Sequence, residues 1–349
     1  MPRRTTLRVA VATALAALAL AGCGNESTGD EPKGSSAAAA SDTSFPITIK
    51  HALGETVIEK KPERVATVAW ANHEVPLALG VVPVGMSKAA WGDDDGDGVL
   101  PWVEDKLTDL DAGTPVLFDE ADGIDFEAVA DTQPDVILAA YSGLTQEEYD
   151  KLSRIAPTVA YPDVPWATSL PDMIRLDSEA LGMAKQGDEL IADLDEEIKA
   201  DWAKHPSLAG KKILFSYIDP KDMSQVGFYT THDTRPGFLA SLGSPIPSVV
   251  EEYSAKGDEF YQTVSAEDTE AFADVDVFVT YGNTDGSTLA ALQKDPLLSK
   301  IPAIKKGAVA VLADSTPLAA SANPSPLSIG ATLDEYFGVL ADAADKASS

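Results

Sequence analysis

The sequence predicts an α/β fold of two lobes, each built around a central parallel sheet, with one long helix joining them. Three observations lead to this class. Short apolar runs of strand length alternate with helical stretches in the first half of the chain, the alternation stops between 170 and 202, and it resumes in the second half. Strands that alternate with helices usually pair in parallel, because each helical crossover returns the chain to the same end of the sheet.

Four buried strands with helices between them are predicted for the first lobe. The strands are RVATVAW (64–70), PVGMS (83–87), DVILAA (135–140) and PTVAY (157–161). The intervening helical stretches are HEVPLALG, FEAVADT and TQEEYDKLSRI. Apolar runs this short are typical of strands that are covered on both faces.

The segment from Leu170 to Trp202 predicts the connecting helix. Its apolar residues recur along one face, and no run of strand length interrupts them. At 1.5 Å per residue the helix would be a rod of roughly 45 Å. Gly182 and Gly187 weaken this helix and allow a kink.

The second lobe repeats the alternation of the first. Its strands are KKILFSYI (211–218), QVGFYT (225–230), DVDVFVTY (274–281) and AVAVLAD (308–314), with helices near 236–242, 266–273 and 324–346. Both lobes contain a comparable step, IDFEAVADTQPDVILAAY in the first and VSAEDTEAFADVDVFVTY in the second. Each step runs from an acidic helix start through an aspartate to a buried strand with a terminal tyrosine, which we interpret as pseudo-symmetry.

The start of the chain has the three parts of a secretory signal peptide. Arginines at 3, 4 and 8 precede the apolar core VAVATALAALALA, which ends in LAGC. LAGC resembles the lipobox of bacterial lipoproteins, in which the cysteine is acylated and becomes the mature N-terminus. We therefore expect a signal peptide over 1–22, a lipid anchor on Cys23 and an extracytoplasmic location at the cell membrane, with export by the general or the twin-arginine route left open. The small, polar residues over 23–44 predict a flexible tether.

Composition excludes several classes of site and partner. Cys23 is the only cysteine, so disulfides, thiol catalysis and cysteine-based zinc sites are excluded. The net charge is −30, and removing 1–22, which holds three arginines and no acid, leaves −33. Such a surface repels nucleic acid and anionic lipid headgroups. The chain has no G-x-S-x-G, P-loop or G-x-G-x-x-G motif, and no two of its four histidines have the i, i+4 spacing of a helical metal site.

An acidic stretch, DDDGDGVLPWVE, matches the calcium-loop pattern D-x-[DN]-x-[DN]-G-x5-E. The matching residues are Asp93, Asp95, Asp97, Gly98 and Glu104. An EF-hand needs a helix before this loop, whereas a strand and a turn precede it here. We therefore predict a solvated Asp/Gly turn that caps a helix beginning at Pro101, with a structural calcium site as the alternative.

Four stretches resemble a siderophore-binding lipoprotein, the solute receptor of an ABC-type ferric iron importer. They are KPERVATVAWANHEVPLALGVVPVG, IDFEAVADTQPDVILAAYSGL, the long connector and the late PLAASANPSPLSI, so that the resemblance covers 45–345. The resembled family has a helical hinge and includes vitamin B12 receptors.

This resemblance implies an architecture. An N-terminal Rossmann-like lobe (45–166), a rigid connecting helix (167–205) and a C-terminal Rossmann-like lobe (206–349) would grip the ligand between the carboxyl ends of their sheets, with little hinge closure. Strand-to-helix loops and helix N-termini converge at that edge of a parallel sheet. The resemblance also implies a monomer without enzyme activity or an intrinsic cofactor, which passes iron(III), carried as a siderophore complex, to an ABC permease with its ATPase.

Aromatic residues at the strand ends are the predicted ligand contacts. They are Trp70, Trp91 and Tyr141 in the first lobe and Tyr217, Tyr229 and Tyr281 in the second. Flat aromatic walls can bury the apolar arms of a chelate, while tyrosine hydroxyls and the guanidinium of Arg235 donate hydrogen bonds to the oxygens around the metal. Any one of these rings alone could equally be ordinary core packing.

Other charged residues near the predicted edge are weaker candidates. We interpret Lys88 as a solvated loop lysine and Arg64 as structural. His73 and His232 could meet across the cleft and hold zinc or manganese with Asp233, but zinc receptors of this architecture normally offer more imidazoles.

Two exposed acids are predicted to dock the permease. Glu127 and Glu267 fall at corresponding helix starts, and in the resembled family such glutamates project from each lobe and pair with arginines of the permease. One carboxylate on each lobe would contact each half of a two-fold symmetric permease, and the two contacts together would fix how the receptor is placed on it. The alternative is that both acids only complement the helix dipole.

The predicted function is therefore a lipid-anchored receptor for a ferric siderophore. A hydroxamate or mixed hydroxamate–carboxylate chelate is favoured over a tris-catecholate, because the predicted edge offers few cations and a highly anionic ligand would enter a negative protein poorly. The alternatives are a corrinoid or heme-type receptor of the same fold, or a lipoprotein hydrolase that uses paired carboxylates.

Overall fold

A computed structural model of the chain describes residues 44–348. The predicted signal peptide, Cys23 and the tether up to residue 43 lie outside the described residues. Among residues 44–348, no helix is both long enough and apolar enough to cross a membrane.

The first lobe begins with a hairpin and continues with a parallel sheet. The hairpin consists of β1 (Ile47–His51) and β2 (Gly54–Ile58), and it is not among the strands predicted from the sequence. The sheet strands are β3 (Val65–Thr67), β4 (Gly85–Ser87), β5 (Val116–Phe118), β6 (Val136–Leu138) and β7 (Thr158–Val159). Their order is β5-β4-β3-β6-β7, and all neighbours are parallel. The edge strand β5 was missed because it is short and exposes Val116, so its residues do not form a buried apolar run.

Four helices connect the strands of the first lobe. They are α1 (Glu74–Ala78), α2 (Pro101–Asp109), α3 (Phe126–Asp131) and α4 (Gln146–Leu152). As predicted, α2 begins with Pro101 at its first position. The Asp125 side chain accepts a hydrogen bond from Ala128 N and caps α3, while Thr145 and Glu148 form a reciprocal capping box on α4.

The connecting segment is two helices, so the prediction of one continuous rod is wrong. The helices are α5 (Leu170–Ala180) and α6 (Ala184–Ala203). Gly182 has a φ of 67°, and the hydrogen bonds from Gly182 N to Glu179 O and from Met183 N to Ser178 O close a glycine cap that ends α5. The chain then turns back, since Arg175 Nε lies 3.9 Å from Asp188 Oδ1 and Gly187 packs against Ser178. The two glycines therefore produce a reversal and a close helix contact.

The second lobe contains a mixed sheet, which corrects the prediction of an all-parallel one. Its strands are β8 (Ile213–Tyr217), β9 (Gln225–Tyr229), β10 (Tyr261–Ser265), β11 (Val277–Gly282) and β12 (Val309–Ala313). The order is β10-β9-β8-β11-β12, and β9 runs antiparallel to both of its neighbours. The connection from β8 to β9 contains no helix, and a connection this short can only form a hairpin.

Six α-helices complete the second lobe. They are α7 (Thr234–Ser241), α8 (Ser248–Ser254), α9 (Ser287–Lys294), α10 (Pro302–Lys306), α11 (Pro317–Ala320) and α12 (Ser328–Ala347). The helix predicted near 266–273 is a single 3-10 turn, Thr269–Phe272. The long last helix is present as α12, which contributes Tyr336 and Phe337 to the core.

The step shared by the lobes has a structural counterpart. Asp135 precedes β6, and its carboxylate accepts hydrogen bonds from the backbone N–H groups of Glu63 and Arg64 at the start of β3. Asp276 precedes β11 and accepts from Lys212 N, just before β8, at 2.9 Å. In each lobe an aspartate thus fastens the beginning of the neighbouring central strand. The predicted two-lobe α/β class is confirmed.

Candidate functional site

Arg235 lies at the centre of a cluster of tyrosines where the two lobes meet. Its guanidinium carbon stands 4.7 Å from the centre of the Tyr229 ring, a cation–π contact, and its Nη1 donates to Asp233 Oδ2 at 2.9 Å. Asp233 is buried and also caps α7 by accepting from Arg235 N. Burial alone would lower the pKa of Arg235, but the Asp233 carboxylate and the surrounding tyrosines raise it, so the guanidinium stays charged.

Tyr141 joins this cluster from the first lobe. It follows β6, it is 5 % exposed, and its hydroxyl lies 3.2 Å from Thr234 Oγ1 and accepts from Asn323 Nδ2 at 3.0 Å. Its ring meets Trp166 edge-on, with the ring centres 5.4 Å apart. Tyr141 therefore contacts the second lobe directly.

Trp91 and Tyr281 form a second contact between the lobes. Their rings are perpendicular, with centres 5.5 Å apart, and Trp91 Nε1 donates to Asp314 Oδ1 at 3.3 Å. Tyr281 ends β11 and packs near Phe215, which in turn contacts Tyr229. Five of the seven predicted contacts are thus brought into one network across both lobes: Trp91, Tyr141, Tyr229, Arg235 and Tyr281.

The other two predicted contacts lie at the margin of this network. Trp70 is part-buried in the loop after β3 and packs against the hydrophobic core that includes Tyr141 and Phe215. Tyr217 is 42 % exposed at the end of β8. It shares a sheet face with Phe215, because residues two apart in a strand point the same way.

Several residues of the cluster are not among those predicted from the sequence. Tyr261 opens β10, its ring centre lies 5.2 Å from that of Tyr229, and its hydroxyl lies over Gly227, where a β-carbon would stand 1.6 Å away. Trp166 and Asn323 lie in loops, and Tyr336 is fully buried on α12. Tyr261 could have been found from the alternating stretch YQTVS, whereas loop residues carry no periodic signal.

Three buried polar atoms in the cluster have no well-formed hydrogen bond to any described residue. They are Arg235 Nε and the hydroxyls of Tyr281 and Tyr336, and the Tyr281 hydroxyl lies close enough to Arg235 for the guanidinium to lower its pKa. Burial raises the pKa of Tyr281 to about 12, so its hydroxyl remains protonated and able to donate. The cluster therefore offers a charged donor and a neutral donor among aromatic faces, which suits oxygen atoms on a bulky, partly apolar molecule.

Two cavities adjoin the cluster. One of 740 Å³ lies between α5, α6 and α7 and is lined by Ile191, Trp202 and Phe238, with Asp233 and Thr234 also in its wall. The other, of 520 Å³, lies at the carboxyl edge of the second sheet and is lined by Tyr281, Asn283 and Asp314. Both cavities therefore reach the residues that surround Arg235.

The candidate docking acids are exposed in both lobes. Glu127 lies in the first turn of α3. Glu267 lies in the turn after β10, two residues before the 3-10 turn begins, so it is not at the start of an α-helix. The dipole explanation therefore weakens for Glu267, since a helix dipole requires a helix.

The interlobe metal alternative is not formed. His232 Nε2 lies 3.2 Å from Ser254 O, and Asp233 is engaged by Arg235. His73 is buried at the start of α1, and this burial lowers its pKa to about 4. Within residues 44–348, the one group of three acidic or histidine side chains placed to share a metal ion is Asp93, Asp95 and Asp97.

The acidic loop folds as a series of side-chain capped turns. The Asp93 carboxylate accepts from the backbone N–H groups of Asp95, Gly96 and Gly98, and the element directly before the loop is the strand β4, not a helix. Burial opposes ionisation of Asp93, but these N–H groups outweigh it and lower the pKa. The loop thus has the predicted Asp/Gly turns before α2.

Lys88 and Arg64 stand apart from the cluster. Lys88 is exposed, and its side chain lies along Gly98. Arg64 donates to the carbonyls of Thr132 and Gln133 at the end of α3. These contacts support the structural interpretation of Arg64.

Comparison with known proteins assigns the family. The model of the family described as "Periplasmic binding protein" matches residues 65–316. The chain is 27% identical over 286 residues to the iron(3+)-hydroxamate-binding protein YxeB of Bacillus subtilis (strain 168), covering 80% of this chain and 82% of that protein. It is 30% identical over 238 residues to the probable siderophore-binding lipoprotein YfiY of the same organism, covering 67% of each.

A solved structure shows the same fold. The crystal structure of PiaA from Streptococcus pneumoniae TIGR4 in complex with ferrichrome aligns with a TM-score of 0.82 and 51% sequence identity, covering 86% of this chain and 99% of that one. The resemblance inferred from the sequence is confirmed. The chain belongs to the periplasmic binding protein family.

Proposed function

We propose that this protein is an extracytoplasmic receptor that binds a ferric siderophore and delivers it to an ABC importer for iron uptake. The observation that carries the proposal is Arg235, held among tyrosines of both lobes, with its Nε and the Tyr281 hydroxyl lacking a well-formed hydrogen bond to any residue of 44–348. The relatives support it, since YxeB is named for iron(3+)-hydroxamate and PiaA was crystallised with ferrichrome.

The charge of the cluster favours a hydroxamate or mixed hydroxamate–carboxylate chelate. Arg235 is already paired with Asp233, so the pair adds little net positive charge. A neutral ferric trihydroxamate can accept hydrogen bonds from Arg235 and Tyr281 without bringing further charge. A ferric tris-catecholate carries several negative charges, and these would meet a protein of net charge −30.

Anchoring and delivery complete the proposal. Cys23 would carry the lipid anchor, and the membrane would be contacted only through it. Glu127 and Glu267 would contact arginines of the permease, which works with its ATPase. Iron(III) would arrive and leave within the siderophore, and the protein would act as a monomer without covalent chemistry.

Two other functions are separated by ligand specificity. A corrinoid or heme-type receptor of the same fold would bind a flat macrocycle and ignore ferric chelates. A hydrolase would need two carboxylates at fixed spacing in one cleft, and Asp233, the buried acid of the cluster, is already bound by Arg235.

The test is a tryptophan-fluorescence titration with ferrichrome, a ferric tris-catecholate and cobalamin. Ferrichrome is expected to quench emission at submicromolar concentration and to bind more tightly than the other two. In Arg235→Ala, loss of the charged donor leaves Asp233 unpaired and should weaken ferrichrome binding by about 2–3 kcal/mol. Arg154→Ala, at an exposed arginine, is the matched control and should bind normally. Absence of quenching by every ferric chelate would contradict the proposed function.

A further inference from the structure

The loop that carries Trp70 has an unfavourable backbone. Ala69 and Ala71, on either side of Trp70, have φ values of 61° and 62°. This left-handed region is disfavoured for residues with a β-carbon, so each alanine costs roughly 1 kcal/mol. Such a loop keeps one conformation only when other contacts hold it.

Asn72 holds the loop from the side of β6. Its side chain is fully buried, and its Nδ2 donates to the carbonyls of Val68 and Tyr141 at 2.8 and 2.9 Å. Its Oδ1 accepts from Tyr141 N at 2.9 Å. The amide of Asn72 thus pairs with both backbone groups of Tyr141, as the facing residue in a hydrogen-bonded antiparallel pair would, and it couples the Trp70 loop to Tyr141.

Glu120 holds the same loop from the side of β4. It follows β5, and its Oε2 accepts from Ala69 N at 2.9 Å and from the Ser87 hydroxyl at 3.0 Å. Its Oε1 is buried and forms no hydrogen bond to a described residue. The carboxyl group of Glu120 is therefore poorly solvated, and its Oε2 holds Ala69 at the start of the loop.

We propose that Asn72 and Glu120 are positioning residues of the ligand site, which hold the loop from Ala69 to Asn72 and thereby set the positions of Trp70 and Tyr141. This role rests on the proposed function, because Trp70 and Tyr141 are ligand contacts only there. The hydrogen bonds themselves can be tested without ligand.

The first experiment uses the ligand-free protein. The near-ultraviolet circular dichroism of Trp70 is obtained as the difference between the wild type and Trp70→Phe. Asn72→Ala and Glu120→Ala should lose this Trp70 signal, whereas Glu120→Gln, which keeps an acceptor for Ala69 N and Ser87, should restore it. If Glu120→Ala does not fold, Glu120→Asp replaces it, because the shorter side chain does not reach Ala69 N.

The matched control is Glu148→Ala. Glu148 Oε2 also accepts from one backbone N–H and one hydroxyl, both of Thr145, at 2.8 Å each, but it does so at the start of α4. This variant should lower stability without changing the Trp70 signal. A structural defect that acts through general loosening would change the signal in both glutamate variants.

The second experiment is a ferrichrome titration of the same variants. Asn72→Ala and Glu120→Ala should raise the dissociation constant by about tenfold or more, as expected when a buried hydrogen bond at the site is lost, while Glu120→Gln and Glu148→Ala stay close to the wild type. Folded Asn72→Ala and Glu120→Ala proteins that keep the Trp70 signal and the wild-type affinity overturn the positioning role. If the wild type itself ignores ferrichrome, the proposed function fails, and the Trp70 signal alone decides whether the two side chains position the loop.

Discussion

At the scale of single residues, the site is organised by buried polar side chains as much as by the aromatic ones. Arg235 was identifiable from THDTRPGF, and the aromatic candidates from their places at strand ends. Asn72 and Glu120 were not, because their partners lie up to 69 residues away in the chain. A lone polar residue in a sequence does not reveal which backbone groups it will satisfy.

Glu120 makes a prediction about pH. Burial raises its pKa to about 7, while an unfolded glutamate titrates near 4.5. The protonated form is favoured in the folded protein, so the contribution of Glu120 to the free energy of unfolding is fully present below pH 4.5 and is lost as the pH rises to about 7. Glu120→Gln cannot ionise, and its stability relative to the wild type should therefore increase over this range, by at most about 3 kcal/mol.

Urea unfolding of both proteins between pH 4.5 and pH 8 measures this difference. If the free energies of unfolding of the two proteins differ by the same amount at every pH, the pKa of Glu120 is not raised in the folded protein.

At the scale of elements, glycines decide how the connecting helices pack. The reversal at Gly182 and the close contact at Gly187 turn a helical stretch that looks continuous into two helices that lie against each other. Helical periodicity alone does not distinguish these outcomes, because both keep apolar residues on one face.

Gly187→Ala is expected to destabilise the protein although alanine favours helix. A β-carbon at this position would lie 2.0 Å from Ser178 Oγ and 2.6 Å from Ser178 Cβ, so α5 and α6 would have to separate. Overpacking of this kind typically costs about 1–3 kcal/mol, more than the gain of about 1 kcal/mol from helix propensity. Thermal or urea unfolding provides the measurement.

Gly338→Ala, in the middle of α12, is the control for this prediction. A β-carbon there would meet only His205 Cε1 at an ordinary 3.7 Å, so this variant should be neutral or stabilised. Equal effects of the two substitutions would contradict a close contact at Gly187.

The acidic loop before α2 makes a prediction about calcium. Its backbone N–H groups already use oxygens of Asp93, Asp95 and Asp97 in local turns, so we expect the melting temperature to be the same with calcium and with a chelator. Calcium at a hundred times its dissociation constant would instead add about 2.7 kcal/mol. A clear calcium-dependent rise in the melting temperature would favour the alternative of a structural calcium site.

At the scale of the whole molecule, one buried acid accepts a hydrogen bond from each lobe and so links them. Glu74 is buried and accepts from Trp102 Nε1 in its own lobe, at 2.8 Å, and from Leu327 N at the start of α12, at 2.9 Å. The bond from Leu327 N joins the Tyr141–Thr234 and Trp91–Asp314 contacts as polar links between the lobes. The two lobes thus meet through several specific polar contacts and not only through apolar packing.

The docking proposal belongs to this scale because it needs one charge on each lobe. Replacing both Glu127 and Glu267 by lysine should abolish most uptake of radiolabelled iron from ferrichrome in cells, while ferrichrome affinity in solution stays unchanged. The reason is that exposed charges outside the cluster affect the encounter with the permease and not the ligand contacts. Glu55→Lys, at an exposed acid of the β1–β2 hairpin, is the control and should leave uptake intact. Normal uptake by the double variant would exclude these glutamates as docking contacts.

The sequence by itself determined the α/β class, most of the central strands, the aspartates that precede β6 and β11, and the candidate rings at the strand ends. Those features depend on local periodicity and on residue types at fixed offsets, which can be read along the chain. Only the tertiary structure decided the reversal at Gly182, the antiparallel course of β9, and the contacts that bring Arg235 to Tyr229 and Asn72 to Tyr141. These outcomes depend on which distant groups come within a few ångströms once the core packs, and the packing of the whole chain sets those distances.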